Sequence, residues 1–124
     1  METPGMADRP ADKLVAELFD IIDGCRWDEL GLIFDDNCVY SRPGYDPIVG
    51  LPQIDHFYRC ERIVASGAHA VEHTVSDLGA AACWGRFRGR SRDGGELDEG
   101  FADTYRVRDG KIVYRRTYFY RAAM

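Results

Sequence analysis

Downstream of Gly67 the chain is punctuated by three turn dipeptides, Leu78-Gly79, Asp93-Gly94 and Asp109-Gly110, and the stretches between them are rich in β-branched and aromatic residues. Asp-Gly between such stretches is a hairpin signal, because both central residues of a tight turn take positive φ and glycine does so without steric cost. The spacing predicts four successive antiparallel strands. Upstream, the period changes. Leu14, Val15, Leu18, Ile21 and Ile22 recur at helical spacing, with Asp12 as cap and Gly24 as stop. Trp27, Leu30, Ile33 and Phe34 continue the period in a short second helix. Cys38–Ser41 reads as a strand, Pro43-Gly44 as a breaker, and Tyr45–Val49 as a further extended piece. Gly50-Leu51-Pro52 opens a third helix, with Ile54, Phe57 and Tyr58 on its apolar face, which fades near Ala65-Ser66-Gly67. Helices in one half and an antiparallel strand meander in the other point to an α+β fold, with helices covering one face of a single sheet.

Length and charge narrow the partners. The 124 residues, 45% of them apolar, suffice for one core and leave no room for a second. Residues 1–10, with two prolines and a glycine, read as a disordered arm, and residues 11–124 as a single domain. A net charge of -5 with interspersed signs excludes the basic footprint expected for nucleic acid or anionic lipid. The expected partner is a hydrophobic small molecule. No apolar stretch approaches the roughly 20 residues of a membrane span, and the N-terminus lacks a signal-peptide pattern, so a cytoplasmic location is expected. Cys25, Cys38, Cys60 and Cys83 show no zinc-site spacing and are expected to pack as buried, reduced hydrophobes.

The segment GELDEGFADTYRVRDG carries the most chemical information. Strand alternation places Leu97, Glu99, Phe101, Asp103, Tyr105 and Val107 on one face, and the aromatic members mark it as the buried one. Asp103 is therefore predicted to be a carboxylate between two aromatics. Kept neutral it can donate a hydrogen bond to a substrate oxygen; kept charged it can take a proton. The competing assignment is structural, with Asp103 paired to a buried arginine or accepting from a tyrosine. A two-residue turn at Asp93-Gly94 pairs Trp84 with Asp103, Arg86 with Phe101 and Arg88 with Glu99, so that Trp84 walls the acid. In the last hairpin a tight turn sets Arg116 opposite Asp103, whereas a single bulge brings Arg115, Thr117 and Phe119 to that face.

Other candidates follow from the same alternation. Tyr40 on the first strand is either a donor or a core tyrosine, and His73, between Val71 and Val75, is either catalytic or structural. His56 and His69 are expected at surfaces. Tyr58, Tyr105, Tyr114, Tyr118 and Tyr120 can line a pocket, fill a core or form a dimer face. Arg86, Arg88, Arg90 and Arg92 form a solvated or subunit-facing stripe.

The order of elements, the phrase IFDDNCVYSRPGYDPIVG and the closing FADTYRVRDGKIVYRRTYF resemble NTF2-like proteins, particularly the SnoaL-like polyketide cyclases and ketosteroid isomerases, over residues 12–121. That resemblance implies a cone-shaped sheet wrapped around three helices, a pocket open at one end and homodimers through the sheet's outer face. Matched residue by residue to ketosteroid isomerases, the second aspartate falls on Asp103, the base on Arg42 and the tyrosine near Leu18. Matched to limonene-epoxide hydrolases, the tyrosine falls on Tyr40 and the arginine on Arg86, with Arg42, Arg88 and Thr117 replacing the asparagine and two aspartates. Neither catalytic set is complete. The expected activity is a cyclase, isomerase or dehydratase of polyketide or antibiotic biosynthesis, with no metal or organic cofactor. Asp103, Tyr40 and His73 would be catalytic, and Trp84, Arg86, Phe101, Tyr105, Tyr58, Arg115 and Phe119 would contact substrate. The alternatives are a non-catalytic small-molecule-binding or accessory dimer and a structural dimer with a filled interior.

Overall fold

A computed structural model describes residues 10–120, so the arm expected at the N-terminus lies, apart from Pro10, outside the described residues. Helix α1 (Ala11–Asp23) turns Leu14, Val15, Leu18, Phe19, Ile21 and Ile22 to one buried stripe. Its start differs from expectation. Pro10, not Asp12, precedes the first turn, and Asp12 lies within it, where its charge complements the helix dipole. Gly24 ends the helix by donating to Asp20 O, and the left-handed residue is Cys25, at φ 53°.

The second helix is a short 3-10 helix, Trp27–Leu32. Strand β1 (Phe34–Ser41) begins four residues before Cys38, β2 (Ile48–Val49) pairs with it, and α2 (Leu51–His56) continues into a π-helical turn, Phe57–Glu61. The third helical segment thus stops short of Ala65, because Arg62 turns extended and β3 (Val64–Asp77) starts at once. Strands β4 (Ala80–Ser91), β5 (Glu96–Arg108) and β6 (Lys111–Phe119) complete the predicted meander.

The sheet order is β2-β1-β6-β5-β4-β3, antiparallel except where β1 lies parallel to β6. The curved, unclosed sheet and its helices form an α+β NTF2-like fold. Leu14, Leu18, Ile33, Phe34, Ile54 and Ile112, all fully buried, fill the space between helices and sheet, each side chain contributing about 1.5–3 kcal/mol over exposure.

Two registers decide which side chains enter that space. Between β4 and β5 the turn is a three-residue loop, Arg92–Gly94, rather than the expected two-residue one: Ser91 N–H donates to Gly95 O, and Gly95 N–H donates to the Ser91 hydroxyl and the Asp93 carboxylate. Those side-chain bonds favour the longer loop, and the extra residue shifts the pairing by one. Cys83, not Trp84, lies opposite Asp103, and Gly85, not Arg86, lies opposite Phe101. Between β5 and β6 the Asp109-Gly110 turn is tight, with φ of 54° and 74°, but a bulge follows at Val113. Arg115 and Thr117 therefore share the inner face with Tyr105 and Asp103, and Arg116 faces out.

Candidate active site

Asp103 is fully buried at mid-strand. One of its oxygens, Oδ2, accepts from Tyr105 Oη at 2.6 Å, from Arg115 Nε at 3.1 Å and from Arg115 Nη2 at 2.9 Å; Oδ1 accepts from Thr117 Oγ1 at 2.6 Å. Because the Thr117 proton is spent on Asp103, Tyr40 donates in turn to Thr117, at 3.0 Å. Arg115 gives a third hydrogen bond, from Nη1 to the Tyr58 hydroxyl at 2.8 Å, and its guanidinium lies 4.5 Å from the Tyr40 ring centre.

Tyr40, Tyr58, Tyr105, Arg115 and Thr117 are all buried around the acid. Burial drives the Tyr40 and Tyr105 phenols above their ordinary range and so keeps their protons on. Burial alone would lower the Arg115 pKa, but Asp103 and the surrounding hydroxyls outweigh it and the net direction is up. Asp103 has the partners named for the structural alternative, an arginine ion pair and a tyrosine donor, with a threonine donor besides. Both carboxylate oxygens are occupied by protein groups.

Several expected site residues lie elsewhere. A bulge between Val71 and His73 reverses the phase of β3, so His73 faces outward and stacks on Trp84, ring centres 5.2 Å apart. Trp84 is on the outer face for the register reason above. So is Arg86, which is exposed and bonds Asp98 at 2.5 Å. Phe119 pairs with Phe101 but sits at the open end, 45% exposed. Arg42, at the place of the isomerase base, is a cation between the Tyr45 and Phe57 rings, 4.4 and 4.1 Å from their centres, and cannot take a proton. Phe101 and Tyr105 are inside, as expected, and Tyr40, Tyr58 and Arg115, whose placement the sequence left open, are inside with them. Arg88 and Arg90 form a solvated stripe with cross-strand acids. Among the cysteines, Cys38 and Cys83 are buried, but Cys25 and Cys60 are exposed because each sits where its helical segment turns to solvent.

The same bulge turns inward a residue expected at the surface. His69 Nδ1 lies 2.6 Å from Asp23 Oδ1, and the His69 backbone N–H donates to Asp23 Oδ2 at 2.8 Å. The ring is packed among Phe19, Phe87 and Phe101, at 4.5, 4.7 and 5.3 Å between centres. With Nδ1 committed to the carboxylate, Nε2 has no partner among the described residues. Phe19 bridges this dyad to the first cluster, since its ring lies 5.7 Å from the Arg115 guanidinium. No local signal connects Asp23 with His69, which are 46 residues apart; only the phase of β3 could have pointed inward.

A cavity of about 290 Å³ is lined by Cys25, Trp27, Tyr58, Arg59, Val64, Ala65 and Arg92, of which Tyr58 also belongs to the cluster around Asp103. A shallower cleft of about 580 Å³ lies on the opposite, outer face of the sheet, over Val75, Ala82, Thr104, Tyr114 and Tyr118. No group of three or more histidine, cysteine or acidic side chains is placed to hold a metal ion among the described residues. Nor is any described helix long and apolar enough to cross a membrane.

Comparison with known proteins agrees with the fold. Residues 15–115 match the SnoaL-like domain. The fold superimposes on a Jannaschia protein thought to be a SnoaL-like polyketide cyclase, with a TM-score of 0.78, 14% identity, and coverage of 97% of this chain and 91% of that one. An LEH-like epoxide hydrolase of M. tuberculosis gives a TM-score of 0.76 at 17% identity over 86% of this chain and 80% of the other. A Catenulispora acidiphila protein of ketosteroid isomerase-like fold, in complex with trimethylamine, gives 0.76 at 15% identity over 86% and 84%. These identities establish shared fold alone. No curated protein sequence matches the chain.

Proposed function

The chain belongs to the SnoaL-like domain family, and from that premise we propose that it is an acid-base enzyme, a cyclase, isomerase or dehydratase acting on a hydrophobic, polyketide-like carbonyl compound of secondary metabolism. The observation that carries this reading is the Asp23–His69 dyad, with its Nε2 unengaged inside an aromatic wall. A histidine that donates from Nδ1 to a carboxylate presents a lone pair at Nε2, and the carboxylate stabilises the imidazolium formed when that nitrogen takes a proton. His69 would remove a proton from the carbon next to a carbonyl, and the electron pair of the broken C–H bond would move onto the carbonyl oxygen. Tyr58 suits the second role. Its oxygen accepts from Arg115, which leaves its own O–H to donate to that oxygen as negative charge develops. Asp103 then acts as a positioning residue, holding Arg115 against Tyr58.

The occupied oxygens of Asp103 favour the second reading, a non-catalytic protein that binds the same kind of ligand. The α-proton exchange of 2-tetralone in deuterated water, followed by NMR, separates the two. Exchange at least tenfold above the buffer rate, lost in His69→Gln and reduced at least tenfold in Asp23→Asn with folding intact, supports the enzyme. Exchange at the buffer rate, or unchanged in His69→Gln, overturns it.

A further inference from the structure

In a chain of net charge -5, arginines readily find carboxylates, and Arg26, Arg59, Arg86, Arg88 and Arg90 each do. Several others have no such pair among the described residues, and two of these lie at the 290 Å³ cavity: Arg92, which is exposed and lines it, and Arg62, which is not in its lining but lies beside the lining rings of Trp27 and Tyr58. Arg62 is half-buried with its guanidinium 5.8 Å from the Trp27 ring centre and 5.5 Å from that of Tyr58, and no carboxylate lies within ion-pair distance among the described residues. Arg92 donates from Nε to Arg62 O at 2.6 Å and from Nη2 to Arg59 O at 3.2 Å, so it meets only neutral carbonyls there. A guanidinium withdrawn from water without a counter-charge is costly. Burial lowers the Arg62 pKa, and the groups around it are Tyr58, Cys25, Tyr40 and the like-charged Arg115. Trp27 is half-buried and stacks on the buried Tyr58 at 5.0 Å with 17° between their planes, so that a flat indole backed by a phenol lines the cavity beside the two cations.

We propose that this cavity binds the carboxylate of a flat, conjugated substrate, with Arg62 and Arg92 as its counter-charges and the Trp27–Tyr58 stack as its platform. The proposal rests on the acid-base reading for the word substrate and narrows its class from hydrophobic carbonyl compound to anionic aromatic or enolic acid. A carboxylate supplies the missing negative charge, guanidinium groups bind it through charge-assisted N–H bonds, and a conjugated ring stacks on aromatic faces. Tyr58, whose hydroxyl accepts from Arg115, belongs to the same wall.

Binding can be read without turnover. 2-Naphthoate is titrated against the protein with the indole N–H resonance of Trp27 as reporter, alongside its methyl ester and inorganic phosphate. The expected result is saturable perturbation of Trp27 by 2-naphthoate, binding at least tenfold weaker for the ester, and no competition from phosphate at equal concentration. Arg62→Gln should weaken 2-naphthoate at least tenfold, Arg62→Lys should keep it within about threefold and so control for folding, and Arg88→Gln on the outer face should leave it unchanged. Equal binding of acid and ester, unaltered binding in Arg62→Gln, or displacement by phosphate overturns the proposal. Charge-dependent binding of 2-naphthoate with no ketone exchange overturns the acid-base reading alone, and exchange with no charge-dependent binding overturns this proposal alone.

Discussion

Arg115 directs two N–H groups, Nε and Nη2, at a single oxygen of Asp103, at 3.1 and 2.9 Å, with both side chains sealed from solvent. Removing one partner strands the other. Asp103→Asn is expected to destabilise the fold by about 3–5 kcal/mol, because it leaves an uncompensated buried cation, whereas Asp103→Leu combined with Arg115→Met should cost less than either single change. Urea unfolding of Asp103→Asn, of Asp103→Leu and Arg115→Met singly, and of their double checks this, and a double variant weaker than both of its singles would contradict it.

The buried thiols set a limit at high pH. Burial pushes Cys38 up to about 12 and Cys83 up to about 11 from 9.0. A folded-state pKa above the unfolded one gives stability that is complete below about pH 9 and is lost as pH rises toward 11–12. Thermal melting should therefore fall across that window, and Cys38→Ala with Cys83→Ala should lessen the fall, the remainder coming from the buried Tyr40 and Tyr105 phenols. At neutral pH a thiol reagent should modify Cys25 and Cys60 in the folded protein and reach Cys38 and Cys83 only after unfolding.

Gly85 has no room for a side chain. An added Cβ would meet Ala70 O at 2.1 Å and Val71 Cα at 2.9 Å, both backbone atoms of the neighbouring strand beside its bulge. Gly85→Ala is expected to cost about 1–3 kcal/mol by forcing the strands apart. Since the same bulge turns His69 inward, the variant should also weaken the Asp23–His69 contact, seen as a shift of the His69 imidazole resonances.

The outer sheet face is a proposed homodimer surface. Val75 and Tyr118 lie there 46% and 44% exposed, around the larger cleft. Sedimentation of the parent should give twice the 14.0 kDa chain mass, and Val75→Asp with Tyr118→Asp should halve it. A parent that sediments as a single chain removes this interface.

Much of this architecture was legible because it is periodic. The stripe from Leu14 to Ile22 and the alternation from Phe101 to Tyr105 identified helix, strand and the burial of Asp103. What escaped depends on single residues that break a period. The bulge before His73 exchanged the roles of His73 and His69, the bulge at Val113 chose Arg115 over Arg116, and the hydroxyl of Ser91 favoured a loop one residue longer than expected. Such choices are made by hydrogen bonds of local geometry or by pairing with distant strands, and a one-residue slip inverts every side chain beyond it. The Asp23–His69 contact was hidden for a further reason, because it joins a helix end to a strand through tertiary packing alone.

The three-residue loop Arg92–Gly94 acts on the molecule as a parity element. With an odd number of residues between the strands, β4 turns Ala81, Cys83 and Phe87 inward and its arginines outward. One residue more or fewer, with β5 held in place, would carry Trp84, Arg86 and Arg88 into the interior and move a small neutral surface out. The chemistry lining the cone is thereby encoded in the length of a solvent-exposed turn, and an insertion at Asp93 would change the interior without altering any residue inside it.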